Sequence, residues 1–265
     1  PGSRLGWQLA GLEIPPQASF IGSFAATAPG EANGGKAAAG AVRRIDSQTG
    51  EILWTLRGSK RRQHLGYSMR IFRTGRDVPD VFVGAPGSSN GKVRGSLLTI
   101  SGETGQVLER LEAPPGAVLF GLAFAFSDLD GDGTFDDLLV GAPGTDGPGG
   151  ENSGAVYAFS ADDGRLLWTW EGESPGQYLG LAVSGMSDLD GDGVLEAAAT
   201  SLFANPDLPK RDRRGGVEYF SPGTGDVIAK RLGKRAGDRL GWPILGCFDG
   251  CLVGVPKNPE LYLPE

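Results

Sequence analysis

Apolar residues along this chain fall in short runs that are separated by turn-forming residues. Four such runs follow one another between Phe120 and Gly172: "FGLAFAF", "DDLLVGAP", "GAVYAFS" and "GRLLWTWEG". Runs as short as Leu138–Val140 suit strands that are buried on both faces, and helical periodicity is nowhere sustained over ten residues. The pattern therefore predicts a four-stranded antiparallel meander.

This meander pattern recurs at an interval of about sixty residues. A Leu-Gly or Phe-Gly pair ends at Gly6, Gly66, Gly121, Gly180 and Gly241. A turn glycine precedes the fourth apolar run at Gly50, Gly105, Gly164 and Gly225. One four-stranded sheet cannot bury both of its faces alone, so the repeats are expected to pack against one another as the blades of an all-β protein, a β-propeller.

The repeats predict one domain over residues 1–265. Their approximate bounds are 4–62, 63–117, 118–176, 177–237 and a partial repeat at 238–265. Two architectures fit this count: a ring of about five blades with a short last blade, or a fragment of a larger propeller.

Composition narrows the class of protein. The chain has 45 glycines and 18 prolines among 265 residues and is 22% charged, which is typical of a globular protein rich in tight turns. No apolar run approaches the ~20 residues of a spanning helix, so we expect no membrane insertion. The net charge of −7 argues against a nucleic-acid partner.

Eight of the 32 acidic residues lie in two similar loops, "DLDGDGTFD" from Asp128 and "DLDGDGVLE" from Asp188. Carboxylates occupy loop positions 1, 3, 5 and 9, and glycine at position 6 permits a sharp turn. Calcium prefers six to eight hard oxygen ligands, which alternate residues of a curled loop and one backbone carbonyl can supply. The predicted ligands of two Ca²⁺ ions are Asp128, Asp130, Asp132, Thr134 and Asp136, and Asp188, Asp190, Asp192, Val194 and Glu196.

Two other interpretations of these loops agree less well with the sequence. An EF-hand requires glutamate at position 12 and two flanking helices, whereas here position 12 is Leu139 or Ala199 and both flanks are predicted strands. A solvated acidic turn would leave four like charges without a counter-ion, and two near-identical copies at the same repeat position favour an ion site.

Several motifs together resemble the FG-GAP repeats of the integrin α-subunit N-terminal propeller. They are "LFG" at 119–121, "FVGAP" at 82–86, "LVGAP" at 139–143, "GAVYAFS" at 154–160 and the acidic loops, and the resemblance covers nearly the whole chain. It implies a secreted or cell-surface binding or adhesion module. Integrin propellers have seven blades, however, and Glu196 replaces the aspartate that is usual in that family.

Catalytic signatures are scarce. The only histidine, His64, has no cysteine near it in sequence, and no glycine-rich phosphate loop opens a helix. A non-catalytic protein is therefore expected. The alternatives are a lectin that uses Trp7 and Trp242, or less favourably a polysaccharide-active enzyme; Trp54 and Trp168, at matching fourth-strand positions, are expected in the core rather than on a sugar.

Basic residues are concentrated in other loops. Since strands of a meander alternate in direction, the loops between strands one and two and between three and four share one end, and the remaining connections share the other. The latter end holds the predicted partner-binding residues Arg61, Arg62, Lys210, Arg211, Arg213 and Arg214. The resemblance to integrins implies the same end, because integrin propellers bind their ligands there. An extracellular protein or polysaccharide is expected to dock at this end, and an acidic one is the best electrostatic match; the oligomeric state is not predicted.

The two cysteines, Cys247 and Cys251, flank a predicted Asp-Gly turn. Facing positions in a tight hairpin would allow a disulfide, as in an oxidising compartment. Two small core residues are the alternative.

Overall fold

The computed structural model describes residues 5–13, 22–72, 76–202, 214–235, 238, 240, 244–247 and 250–253. These residues form four antiparallel four-stranded sheets and one hairpin, without a helix. The strands are β1 Leu9–Glu13, β2 Ser23–Thr27, β3 Ala41–Asp46, β4 Ile52–Arg57, β5 Ser68–Phe72, β6 Asp80–Ala85, β7 Ser96–Ile100, β8 Val107–Glu112, β9 Ala123–Ser127, β10 Asp137–Ala142, β11 Ala155–Phe159, β12 Leu166–Glu171, β13 Val183–Gly185, β14 Ala197–Ser201, β15 Gly216–Phe220, β16 Val227–Leu232, β17 Ile244–Cys247 and β18 Gly250–Val253. Each sheet follows chain order, which confirms the predicted meanders.

Two compact units divide the chain, Pro1–Gly121 and Leu122–Glu265. The first unit contains the sheets β1–β4 and β5–β8, and the second contains β9–β12, β13–β16 and the β17–β18 hairpin. The boundary lies close to the predicted start of the third repeat. The assignment of residues 1–265 to a single domain stays a prediction.

The core of each unit is built from the middle strands of its sheets. In the first unit Val42, Val81 and Ile100 are fully buried, and in the second every residue of β11, β14 and β15 is buried. Burial on both faces explains why these segments appear in the sequence as continuous apolar runs rather than alternating ones.

The glycines of the recurring motifs bring backbone against backbone. A Cβ added to Gly84 in β6 would lie 2.0 Å from the carbonyl oxygen of Gly121, and one added to Gly141 in β10 would lie 2.1 Å from that of Gly180. Gly121 and Gly180 end Leu/Phe-Gly pairs and adopt left-handed backbone with φ of 82° and 90°. The second-strand glycine of one repeat is thus in contact with the Leu/Phe-Gly glycine of the next repeat.

Tryptophans of the fourth strands pack on the turn glycines of the next sheet in the same unit. A Cβ on Gly105 would lie 2.7 Å from the Trp54 ring, and one on Gly225 would lie 2.5 Å from the Trp168 ring. Trp54 also donates its indole N–H to the Gly102 carbonyl at 2.8 Å. Both rings therefore link neighbouring sheets; Trp54 is partly buried, as expected for a core aromatic, whereas Trp168 is 37% exposed and does not lie in the core.

Every complete sheet has a β-bulge where its third and fourth strands pair. The extra residue on the fourth strand is apolar in each case: Leu53, Leu108, Leu167 and Ile228. The fourth strand is an edge strand, so the irregularity interrupts an edge of each sheet.

The hairpin at the end of the described chain pairs Cys247 with Gly250 and Gly246 with Cys251. The two cysteines therefore do not occupy facing positions.

We predict that Gly141→Ala destabilises the protein by about 2–3 kcal/mol, because its methyl group would overlap the Gly180 carbonyl. Gly116→Ala is the matched control: Gly116 has φ of 82° and open space around it, so only backbone strain of about 1 kcal/mol is expected. Urea unfolding measures both. A smaller loss for Gly141→Ala than for the control would contradict the contact.

Candidate metal centres

The two acidic loops connect the first and second strands of the third and fourth sheets. Asp128 accepts hydrogen bonds from the backbone N–H of Gly131 at 2.8 Å and of Gly133 at 3.0 Å. Asp188 accepts the equivalent bonds from Gly191 at 2.7 Å and Gly193 at 3.0 Å. These glycines have positive φ between 78° and 89°. The sequence thus curls both loops around their first aspartate.

The next two aspartates of each loop each accept a hydrogen bond from the backbone N–H two residues later in the chain. Asp130 accepts from the Asp132 N–H at 3.3 Å, and Asp190 accepts from the Asp192 N–H at 3.1 Å. Asp132 and Asp192 in turn accept from the N–H groups of Thr134 at 2.7 Å and Val194 at 2.8 Å. The two loops therefore share one backbone conformation, although their sequences diverge after position 6.

Each loop gathers carboxylate oxygens into a cluster. In the fourth sheet, one oxygen from each of Asp188, Asp190, Asp192 and Glu196 lies within 4.8 Å of the others, which brings together all four predicted carboxylate ligands. In the third sheet the corresponding group is Asp128, Asp130 and Asp137. Every donor is a hard oxygen, the ligand type that Ca²⁺ prefers.

Some predicted ligands lie outside the first cluster. Asp132 and Asp136 both accept hydrogen bonds from the Thr134 hydroxyl, at 2.7 and 2.8 Å, and neither belongs to the group of three. Thr134 and Val194 donate their N–H groups within the loops, and their assignment as carbonyl ligands stays a prediction.

Asp137 is the residue that the sequence interpretation missed. It is the first residue of β10 and only 2% exposed. The ninth loop position, counted from Asp128, is Asp136. The residue directly before the apolar strand residues is instead Asp137, and in the second loop the residue directly before Ala197 is Glu196. The first loop is one residue longer, so alignment on the strand places Asp137, rather than Asp136, at the position equivalent to Glu196.

Asp137 and Glu196 form the buried floors of the two clusters. Asp137 accepts from the N–H groups of Leu129 at 2.8 Å, Asp130 at 3.0 Å and Ala161 at 2.9 Å. Glu196 is fully buried, and its Oε2 accepts from the Leu189 N–H while its Oε1 has no hydrogen-bond partner. A buried carboxylate oxygen without a partner is energetically costly. A cation bound between the loop carboxylates would satisfy it.

The pKa shifts of the buried floor carboxylates, Glu196 and Asp137, are opposite to that of Asp132 on the exposed rim of the loop. Burial, followed by repulsion from Asp190, Asp188 and Asp192, raises the pKa of Glu196 to about 7. Burial, with a contribution from Asp130, also raises the pKa of Asp137. On the rim, hydrogen bonds from the Thr134 side chain and backbone lower the pKa of Asp132. The clusters thus concentrate negative charge at buried positions, where a bound cation would stabilise the ionised carboxylates.

Both loops also contact the turn between the third and fourth strands of their own sheet. The Ser160 hydroxyl donates to Asp130 at 3.1 Å, and the Ser221 hydroxyl donates to Asp192 at 3.5 Å. A Cβ on Gly131 would lie 3.2 Å from Cγ2 of Val194, so the two acidic loops are neighbours. Within these two sheets the loops therefore share an end with the turns, as strand alternation predicts.

The predicted partner-binding residues are only partly described. Arg61 and Arg62 are exposed in the first unit, and Arg214 is half-buried in the second, where it donates to the Lys234 carbonyl at 3.3 Å. Lys210, Arg211 and Arg213 lie outside the described residues. The partner face stays a prediction.

The aromatic candidates for sugar binding have mixed placements. Trp7 is 42% exposed and donates its indole N–H to the Tyr67 carbonyl at 2.8 Å, while Trp242 lies outside the described residues. Trp54 and Trp168 pack on turn glycines. Among the described residues, no helix has the length and apolar character to span a membrane.

Comparisons with known proteins agree with these observations. Residues 120–159 match the FG-GAP repeat family. The chain is 27% identical to integrin alpha-3 of Mus musculus over 222 residues, which are 80% of this chain and 20% of that protein. It is 30% identical to integrin alpha-PS2 of Drosophila melanogaster over 87% of this chain and 16% of that protein, and 32% identical to human integrin alpha-10 over 65% and 14%. The chain therefore spans about a fifth or less of these relatives.

A solved structure supports the fold independently. The WD40 domain of Neurospora crassa Pan2 matches with a TM-score of 0.51 at 11% identity, over 92% of this chain and 57% of that one. This likeness concerns architecture alone. Taken with the four-stranded sheets, it gives the chain the architecture of a β-propeller; residues 120–159 form an FG-GAP repeat, and the chain resembles integrin alpha subunits over most of its length.

Proposed function

We propose that this chain is a calcium-stabilised, non-catalytic binding module that acts outside the cell. The observation that carries the proposal is the unpartnered, fully buried Oε1 of Glu196 at the floor of a four-carboxylate cluster. Calcium is the cation that fits best, because both clusters offer carboxylate oxygens without nitrogen or sulfur donors. The carboxylates are thereby used as ligands rather than as an acid/base pair.

Extracellular calcium concentrations suit such sites. Extracellular modules bind Ca²⁺ with dissociation constants near about 10⁻⁴ to 10⁻³ M, so an open, rim-exposed loop is adequate. A ligand at ~10 times its dissociation constant adds about 1.4 kcal/mol of folding free energy per site. The ion would tie the connection between first and second strands to the buried start of the second strand, and the similarity to integrin alpha subunits supports a role in adhesion.

A partner is proposed to dock on the basic ends of the sheets. In the first unit, the loop between the second and third strands contacts the connection to the next sheet at this end. The contact is a β-bridge between Gly40 and Leu65. Arg61 and Arg62 are exposed and lie four and three residues before Leu65. Two adjacent guanidinium groups on an acidic protein would attract an acidic protein or polysaccharide in a salt-dependent manner.

Calcium removal should lower the melting temperature by about 5–10 °C, because two sites each lose roughly 1.4 kcal/mol of stabilisation. Differential scanning calorimetry with and without EGTA measures the change, and calcium should restore the original value. An unchanged melting curve, in protein shown beforehand to hold calcium, would reject the stabilising role.

Substitution should distinguish the ligand Asp137 from its neighbour. Asp137→Asn is expected to lose one of two bound calcium ions, whereas the adjacent Asp136→Asn keeps both, because only Asp137 belongs to the first cluster. Native mass spectrometry counts the ions. One ion in Asp136→Asn and two in Asp137→Asn would reverse the assignment.

The basic ends can be tested with heparin as a model acidic polysaccharide. Arg61→Glu with Arg62→Glu should lower the salt concentration at which the protein elutes from immobilised heparin, because two attractive charges become repulsive. Arg165→Glu is the matched control, since Arg165 is 63% exposed on a turn between third and fourth strands. Equal elution of all three proteins would leave Arg61 and Arg62 as ordinary surface residues.

A further inference from the structure

The floor position of the acidic clusters has an equivalent in each of the first two sheets. Asp137 opens β10, "DLLVGA", and Glu196 immediately precedes β14. The corresponding residue is Asp80, which opens β6 in "DVFVGA", and Ser23, which opens β2 in "SFAAT". Asp80 is 2% exposed and Ser23 is 1% exposed. All four sheets therefore bury a polar residue at the start of the second strand.

In the second sheet an arginine stands beside this residue. Arg76 places its Nη1 3.3 Å from the Oδ1 of Asp80. Arg76 belongs to the connection between first and second strands, the same connection that carries the acidic loops in the third and fourth sheets. The Arg76 side chain is 52% exposed, so its guanidinium approaches the buried Asp80 carboxylate from the solvent side. A metal ion held by the acidic loops would approach Asp137 or Glu196 from the same side.

In the first sheet an arginine again occupies the position, from a different strand. Arg44 in β3 donates its Nε–H to the Ser23 hydroxyl at 2.9 Å and its Nη1–H to the Gly102 carbonyl at 3.4 Å. Arg44 is 9% exposed. Here a neutral serine replaces the carboxylate, and the buried guanidinium supplies the positive charge.

We propose that Arg76 and Arg44 are built-in cations that take the place of the metal ion in the first two sheets. The calcium requirement of the chain is then confined to the third and fourth sheets, a consequence that rests on the proposed calcium sites. A guanidinium is covalently attached and charged at every physiological pH, so no chelator removes it. Within the described part of the chain, the carboxylates clustered in the third and fourth sheets form no ion pair with an arginine.

This arrangement makes the response to calcium unequal along the chain. The first unit keeps its second strands anchored whether or not calcium is present, while the second unit loses two anchors when calcium is removed. Loops at the ends of β9–β16 would therefore change with calcium concentration, and those of β1–β8 would not. Calcium thus regulates one part of the binding module and leaves the other as a constant scaffold.

Hydrogen exchange on the full chain, with calcium and with EGTA, tests the proposal. Peptides from 123–232 should exchange faster in EGTA, and peptides from 23–72 and 76–112 should keep their protection. Equal loss of protection in both sets, in protein shown to bind calcium, would overturn the built-in cations and leave the calcium sites standing. Absence of any calcium bound would instead overturn the proposed function and this inference with it.

Arginine variants test the second sheet directly. Arg76→Gln should speed exchange in peptides from 76–112 while the protein still binds two calcium ions, and added calcium should not reverse the loss. Arg110→Gln is the control, because Arg110 lies in the same sheet but contacts the Ser96 hydroxyl at 3.2 Å and Glu112 at 3.8 Å rather than Asp80. Arg76→Lys should restore protection by retaining the charge, which keeps the test valid if Arg76→Gln folds poorly. Unaltered exchange in Arg76→Gln would overturn the proposal.

Discussion

Backbone packed directly on backbone is the constraint on which the rest of this structure depends. Where Gly141 meets Gly180 and Gly84 meets Gly121, no side chain separates the second strand of a sheet from the connection that follows it. Such close approach requires glycine at both partners and favours small residues nearby, as in the fully buried Ala197–Ala199. The second strands at these contacts, β6 and β10, are accordingly apolar after their first residue.

Three buried acidic residues lie at the starts of second strands. Asp80, Asp137 and Glu196 all lie at the entrance to a second strand, and burial penalises their ionised forms. In the second sheet Arg76, from the connection between first and second strands, pairs with the buried Asp80. In the third and fourth sheets the same connection instead supplies clustered carboxylates that would attract an external cation.

Much of the fold could be predicted from the sequence because the same strand pattern occurs in each of four repeats. Four copies of each apolar run and each turn glycine fix the meander, and the loop spacing identifies the acidic clusters. Asp137 escaped prediction because one additional residue in the first loop shifts the alignment, and loop counting cannot detect it. Arg44 and Arg76 could not be recognised because their partners, Ser23 and Asp80, lie 21 and four residues away, and only the folded chain brings them together.

The bulges of the fourth strands limit how this protein can recognise another molecule. Leu53, Leu108, Leu167 and Ile228 each break the regular spacing of N–H and C=O groups along an edge strand. An incoming peptide strand must match that spacing to extend a sheet, so these edges disfavour strand addition and the edge-to-edge aggregation that accompanies it. A partner of the proposed binding module would consequently meet side chains in the loops, where sequence can change without disturbing the hydrogen-bonded framework beneath.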